Sequence, residues 1–318
     1  MTAVRVGTCS WADESLVKAW YPSSVRSAEA RLRHYAGLFD TVEVNSSYYA
    51  LPSADAAAAW ARRTPEGFVF HVKAFGVMTR HPVKAEQLPP DLRDAVSLDQ
   101  RGRVERPSRE FRAEIFRRFS DAIRPLKEAG KLGGVLMQFP SYVVFGARAF
   151  EYLEWAGDQL AGHEMLVEFR HRSWFDGAAT DQTLDFLQRL GATNVIVDAP
   201  RTDARNLIPT VVATTSSTAY LRLHGRNAAT WNHRGGSAAE RFDHLYSSDE
   251  LAEWVTPLGE LAASADHVYA MFNNNGRTVD ASGATIAEAP VNAETLRELL
   301  RGGGVPVTDP APPSLPGL

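Results

Sequence analysis

The sequence predicts an α/β chain folded as a single (β/α)8 barrel of the TIM type. Three observations predict it. Eight short apolar runs rich in β-branched residues recur from end to end, helix-period stretches lie between them, and 318 residues is within the size range of such a barrel. Strands alternating with helices pair in parallel through right-handed crossovers. An open doubly wound sheet is the competing arrangement, but it favours a glycine-rich first turn. Ser10-Trp11-Ala12-Asp13 follows the first strand instead of G-x-G-x-x-G.

In chain order, the predicted strands are Val4–Cys9, Thr41–Asn45, Phe68–Lys73, Gly134–Phe139, Met165–Arg170, Asn194–Asp198, Ala219–His224 and His267–Asn273. Strand three is followed by a long loop, Gly76–Ser108, containing Pro82, Pro89, Pro90 and Pro107. A loop of that length is usually functional, so it is a candidate lid. Phe111, Ile115, Phe116, Phe119, Ile123 and Leu126 then share one helix face, a pattern that predicts core packing. Leu184, Leu187 and Leu190 repeat it before strand six. Leu251, Trp254, Val255, Leu258 and Leu261 repeat it before strand eight, with Pro257 expected to end or kink that helix. A second long loop, Gly225–Ser248, follows strand seven and holds Trp231, His233, Arg234 and Gly235-Gly236. Both loops follow strands and should overlie the carboxyl face of the barrel. Residues 1–301 form the predicted domain, and the Gly/Pro-rich stretch 302–318 is expected to be a flexible tail.

Composition narrows the function classes. With 44% hydrophobic and 23% charged residues, the chain is not disordered. No run reaches the roughly 18 apolar residues needed to span a bilayer, so no membrane partner is expected. Strand one begins at Val4, leaving no room for a charged-then-apolar signal peptide, and a cytoplasmic protein is expected. The single Cys9 excludes a disulfide framework and a multi-cysteine zinc site. A net charge of −4 makes the whole molecule a poor general polyanion binder. Oligomeric state is left open.

The chemistry lies in strand parity. One parity of a barrel strand faces the helices and the other faces inward. Opposite the apolar Val42, Val44, Val167, Phe169, Leu221 and Leu223 stand Glu43, Asn45, Glu168, Arg170, Arg222 and His224. His71 and Lys73 show the same split on strand three, and Gln138 and Asn273 close strands four and eight. Charged groups are rarely buried without partners, so repeated polar strand ends point to one shared pocket at the carboxyl face. An internal ion-pair network is the competing reading of the same residues. His71 sits earlier in its strand and reads as a satisfied core histidine. Lys73, Arg170, Arg222 and Arg226 outnumber Glu43 and Glu168, so the expected ligand is an anion held by guanidinium and ammonium groups. Trp11, Tyr48, Tyr49 and Trp174 follow strands and could supply aromatic faces for a ring or base.

In order along the chain, GTCSW, Tyr21-Pro22, TVEVNSSYYALP, FHVKA, LMQFP, VEFRHRSW, YLRLHGR and MFNNN resemble the motifs of the YecE-like family. That family is catalogued as domain of unknown function seventy-two. The resemblance runs from about Val4 to Arg301 and implies a TIM-barrel-like fold. It carries over Glu43, Asn45, Lys73, Gln138, Glu168, Arg170, His171, Trp174, Arg222, His224, Gly225 and Asn273 as motif residues, and it supplies no reaction.

The expected function is an enzyme acting on an anionic, phosphate-bearing or nucleotide-like substrate, a phosphoester-type hydrolase being the specific form. Glu43, Glu168 and His224 are its catalytic candidates. Trp11, Asn45, Tyr48, Lys73, Gln138, Arg170, His171, Trp174, Arg222 and Asn273 are the substrate-binding candidates. No cofactor is predicted. A divalent metal on Glu43, Glu168 and His224 is conceivable, although the neighbouring cations oppose it. The alternative is a nucleic-acid-binding module without catalysis. A glycosidase built on the paired carboxylates ranks third, since Lys and Arg suit a neutral sugar poorly.

Overall fold

The computed structural model describes residues 1–231, 242–279 and 283–311. Eight parallel strands close into a barrel: β1 Val4–Thr8, β2 Thr41–Val44, β3 Val69–Lys73, β4 Leu132–Gln138, β5 Met165–Glu168, β6 Thr193–Asp198, β7 Thr218–Leu223 and β8 His267–Phe272. Each strand pairs with the next in sequence, and β8 returns to β1. The outward parity is apolar, with Val42, Val44, Phe70, Val72, Val167, Leu221 and Leu223 all buried beneath the helices. That is the expected barrel.

Helices α1 (Glu14–Ala19), α2 (Ala28–Ala36), α3 (Ala54–Arg62), α4 (Arg109–Glu128), α5 (Ala147–Gln159) and α6 (Ala179–Leu190) cover the first half and middle of the chain. On α4 the six-residue stripe from Phe111 to Leu126 is buried, and Ser108 caps the helix by accepting from the Phe111 N–H. The stripe from Leu251 to Leu261 divides between two helices, Ser248–Ala252 and Val255–Ser264. Pro257 does not kink them. It lies in the first turn of the second, where the missing N–H would be unpaired in any case.

The seam between β1 and β2 differs from the rest of the barrel. Five Cα pairs register β1 with β8, but only Thr8 and Val42 register β1 with β2. Gly7 brings the two strands so close that a Cβ there would stand 2.3 Å from the Thr41 carbonyl oxygen. The Tyr35 hydroxyl of α2 completes the joint, accepting from the Thr8 N–H at 2.9 Å and donating to the Thr41 carbonyl at 2.9 Å.

Gly76–Ser108 is not structureless. It carries 3-10 turns at Ala85–Gln87 and Pro90–Ala95 and antiparallel bridges joining Lys84 to Arg103 and Leu98 to Val104. Met78, near its start, is buried, its carbonyl accepting from the Tyr152 hydroxyl at 2.7 Å. Of the second loop, Ala228–Trp231 is helical, while His233, Arg234 and Gly235-Gly236 lie outside the described residues. The stretch after Gly302, expected to be flexible from its Gly and Pro content, is held along β1 as far as Thr308. The Val4 N–H donates to the Pro306 carbonyl at 2.8 Å, and the Thr308 N–H to the Val4 carbonyl at 3.1 Å. Backbone pairing needs no particular side chain, so composition gave no sign of it. Among the described residues, no helix is long and apolar enough to cross a membrane.

Candidate functional site

The inward parity of the strands builds a polar column along the barrel. At its base, the ring of His71 packs edge-on against Tyr220 and Tyr269, with centroids 4.7 and 4.3 Å away. Gly133 opposite makes the space, since a Cβ there would lie 2.4 Å from the imidazole. His71 is buried as expected of a core histidine, yet neither ring nitrogen has a hydrogen-bond partner among the described residues. Burial, then Arg5 and His267, push it down to about 3, so the ring is neutral.

Above it, Tyr220 donates to Glu43 Oε2 at 2.9 Å, and Arg222 grips both oxygens of Glu43 at 3.0 and 2.7 Å. The same guanidinium bonds Glu168 Oε2 through Nη1. Glu43, Glu168, Arg222 and His224 all have zero exposure. Glu168 Oε1 also receives Gln138 at 2.7 Å, Arg170 at 2.8 Å and His224 Nε2 at 3.2 Å. Burial alone would raise the Glu168 carboxyl, but Arg222, His224 and Arg170 outweigh it and hold it well below the usual carboxylate range. Burial pushes His224 down to about 3 despite Glu168, so this imidazole does not titrate near neutral pH. Asn45 Nδ2 donates to Asn273 Oδ1 at 3.3 Å, and Asn273 Nδ2 lies 2.9 Å from His224 Nδ1. His224 Nε2 is shared among Glu168 Oε1 at 3.2 Å, Arg170 Nη1 at 3.1 Å and Arg222 Nη1 at 3.3 Å.

Above this column opens a cleft of about 650 Å3. Lys73, Arg170, Gln138, Asn45, Tyr48 and Asn273, all named above as substrate-binding candidates, line it. The Lys73 ammonium lies 4.9 Å over the Tyr48 ring, and the Arg170 guanidinium 4.9 Å over Trp231. Burial, then Arg222, lower Lys73 to about 8 against the opposing pull of Glu43 and Glu168.

The other predicted site residues fall elsewhere. Glu43, Glu168, His224 and Arg222 lie under the cleft and do not line it. Trp11 packs edge-on against Trp60 and Phe70 on the outer side of the strands. Trp174 stacks on Phe169 at 3.8 Å and donates to the Val143 carbonyl. The His171 side chain caps the short turn at Arg172–Trp174. Arg226 is held by Asp198 at 3.0 Å and Glu253 at 3.1 Å, away from the cleft. Sequence reasoning missed Ser10, His81, Asn206 and Asn275 as lining residues. His81 belongs to the long loop after β3, and only the length of that loop pointed to it. Its Nδ1 lies 2.8 Å from Thr79 Oγ1, and burial, then Lys73 and Arg170, push it down to about 3.

Among the described residues no group of three or more His, Cys, Asp or Glu could hold a metal ion. Glu43, Glu168 and His224 do not fit a divalent cation, because their lone pairs already face Arg222, Arg170, Gln138 and Asn273.

Comparison with known proteins gives one answer. The UPF0759 protein YunF of Bacillus subtilis (strain 168) is 31% identical over 301 residues, 93% of this chain and 94% of that protein. A DUF72 family protein of Thermotoga maritima MSB8 is 30% identical, with a TM-score of 0.71 over 94% of this chain and 99% of that one. One from Enterococcus faecalis V583, 24% identical, shares the fold with a TM-score of 0.75 over 98% and 100%. A family model described as "Protein of unknown function DUF72" matches residues 5–315, so this chain belongs to the DUF72 family, the family its motifs resemble.

Proposed function

We propose that this protein is an enzyme that binds a small anionic substrate, phosphate-bearing or nucleotide-like, in the cleft at the carboxyl face. The observation that supports this reading is the order of charge along the barrel axis. Arg222 and Arg170 together balance Glu43 and Glu168, so the Lys73 ammonium is the positive charge in excess at the cleft, with the Arg170 guanidinium beside it on the wall. An anion entering there meets a guanidinium and an ammonium in a concave, partly desolvated site, where such contacts are strong. A volume of about 650 Å3 is in the ordinary range for small-molecule sites. Asp13 and Glu14 on its wall disfavour the passage of a polymeric phosphate backbone. Acid–base work by Glu43 or Glu168 does not suit this geometry, because both carboxylates are buried and turned to a shared guanidinium. The same arrangement disfavours a glycosidase, whose two carboxyl groups must reach the sugar. Lys73 is the group best poised to exchange a proton with a bound molecule.

The test is thermal melting with inorganic phosphate and with a mononucleotide. A ligand at a hundredfold excess over its Kd adds about 2.7 kcal/mol and raises Tm. Arg170→Ala should remove the shift, whereas Arg201→Ala, on the surface against Glu253, should keep it. No shift with phosphate, mononucleotides or small carboxylates at low ionic strength would overturn the anion cleft. Binding of oligonucleotides alone, with a steep salt dependence, would favour the nucleic-acid reading instead.

A further inference from the structure

We propose that Lys73 is a nucleophilic amine that adds to the carbonyl carbon of a small anionic aldehyde or ketone and holds it as an imine while Arg170 holds the anionic group. This rests on the reading of the cleft as an anion site and names the second functional group of its substrate.

The chain uses lysine sparingly: only Lys18, Lys73, Lys84, Lys127 and Lys131 among its 34 basic residues. Four of the five ammonium groups are engaged with oxygen. Lys18 pairs with Glu14, Lys84 reaches Glu86 at 3.4 Å, Lys127 donates to the Gly162 carbonyl at 2.8 Å, and Lys131 donates to the Ala61 and Thr64 carbonyls at 2.6 and 2.7 Å. Lys73 is the exception. Among the described residues its ammonium has no hydrogen-bonding oxygen acceptor, and it lies 4.9 Å over the face of Tyr48. Ammonium carries three donors, and leaving them without acceptors favours the neutral amine.

The backbone under this amine is fixed. β3 is paired on both sides, with Lys73 registered against Leu136, and the Lys73 carbonyl accepts from Ser47 at 2.6 Å. The side chain therefore delivers Nζ to one place on the cleft wall. A group meant only to hold an anion gains by keeping its charge, and this chain has arginine, which never loses it, at nearly all its other cationic positions. Lys73 instead sits in a half-buried place near Arg222, two conditions that make a lysine nucleophilic. At about 8, its pKa leaves a few hundredfold more neutral amine near pH 7.5 than an ordinary lysine has.

The step needs no partner beyond substrate and water. The Nζ lone pair forms a bond to the carbonyl carbon as the C=O π pair moves to oxygen. The two amine protons leave on that oxygen as water when the C=N bond forms, and no atom changes oxidation overall. Gln138, Asn45 and Asn273 surround the site with amide groups that can bond the carbonyl or hydroxyl oxygen.

The experiment uses the full chain with pyridoxal 5'-phosphate as the anionic aldehyde, reduced with borohydride, followed by peptide mapping of all five lysines. Lys73 should be labelled about tenfold faster than any other lysine, and inorganic phosphate should slow that labelling alone. Pyridoxal, which lacks the phosphate, should lose most of the preference. Lys73→Arg, checked by its melt to be folded, should lose this adduct. If phosphate shifts Tm but Lys73 is labelled no faster than Lys18 or Lys84, the imine inference fails and the anion cleft stands. If Lys73 shows no preference and phosphate no shift, both fail.

Discussion

Arg222 shows how a single residue can decide what its neighbours do. It lies with zero exposure between two carboxylates, and among the described residues it is the only guanidinium whose bonds reach both Glu43 and Glu168. Removing one partner of a buried ion pair typically costs about 3–5 kcal/mol, because the other charge is left without compensation. Arg222→Leu leaves Glu43 without a cation while Glu168 keeps Arg170, and we expect it to cost about that much in urea unfolding. A variant within about 1 kcal/mol of the parent would mean that the carboxylates find other partners or take up protons. Strand parity revealed that Glu43, Glu168 and Arg222 point inward. Their depth along the axis was not legible, because parity repeats every two residues and does not say which layer meets solvent. The cleft-lining Lys73 and Arg170 and the buried Glu43 and Glu168 look alike in that pattern.

At the scale of elements, the segment from Phe242 to Tyr246 crosses the carboxyl face and supplies Phe242 to the cleft. Its anchor is the first turn of the helix Glu288–Gly302, where buried Glu288 meets Asp243 and accepts from the His244 N–H at 2.9 Å. Gly276 leaves room for the two carboxyl groups, since a Cβ there would stand 2.4 Å from one and 2.6 Å from the other. Burial, then the hydrogen bond with Asp243, raise Glu288 from 4.5 to about 8. The folded chain therefore keeps a proton that the unfolded chain releases between those values. Stability from this site falls as pH rises through that window and levels off above it. Glu288→Gln should flatten the dependence, read as urea midpoints at pH 5 and pH 8. Parallel slopes in parent and variant would show that the pair does not titrate as described. Nothing in the sequence linked Asp243 to Glu288. The pairing depends on how a loop after β7 meets a helix after β8, a tertiary fact without a local signature.

For the molecule as a whole, the eightfold alternation of β-branched runs and helical stripes was legible because burial on both faces leaves a repeated mark in composition. The closing of the chain was not. Residues 303–311 are rich in glycine and proline, yet they run beside β1 and tie the last helix to the first strand, with Asp309 facing Arg297 and Arg301. Deleting everything after Gly302 should lower Tm by several degrees, whereas a dispensable tail would leave it unchanged. A single cooperative transition in both proteins would fit one domain unfolding as a unit.

The joint between β1 and β2 has a kinetic consequence. Where other neighbouring strands are held by a ladder, these two share one registered pair and the phenol of Tyr35, so they should separate before the others in brief openings of the native state. The chain's only thiol, Cys9, follows β1 directly and is buried, and its carbonyl is tied to Asn45, the residue that follows β2, by a 2.7 Å bond. Modification of Cys9 by a thiol reagent then reports how often that gap opens. Burial, then Glu43, also raise the thiol well above its ordinary value, so the closed protein should react little. Tyr35→Phe strands the Thr8 N–H and the Thr41 carbonyl at a cost of about 1–3 kcal/mol, and labelling should quicken by about tenfold or more. A barrel that opens elsewhere first would leave the two rates equal.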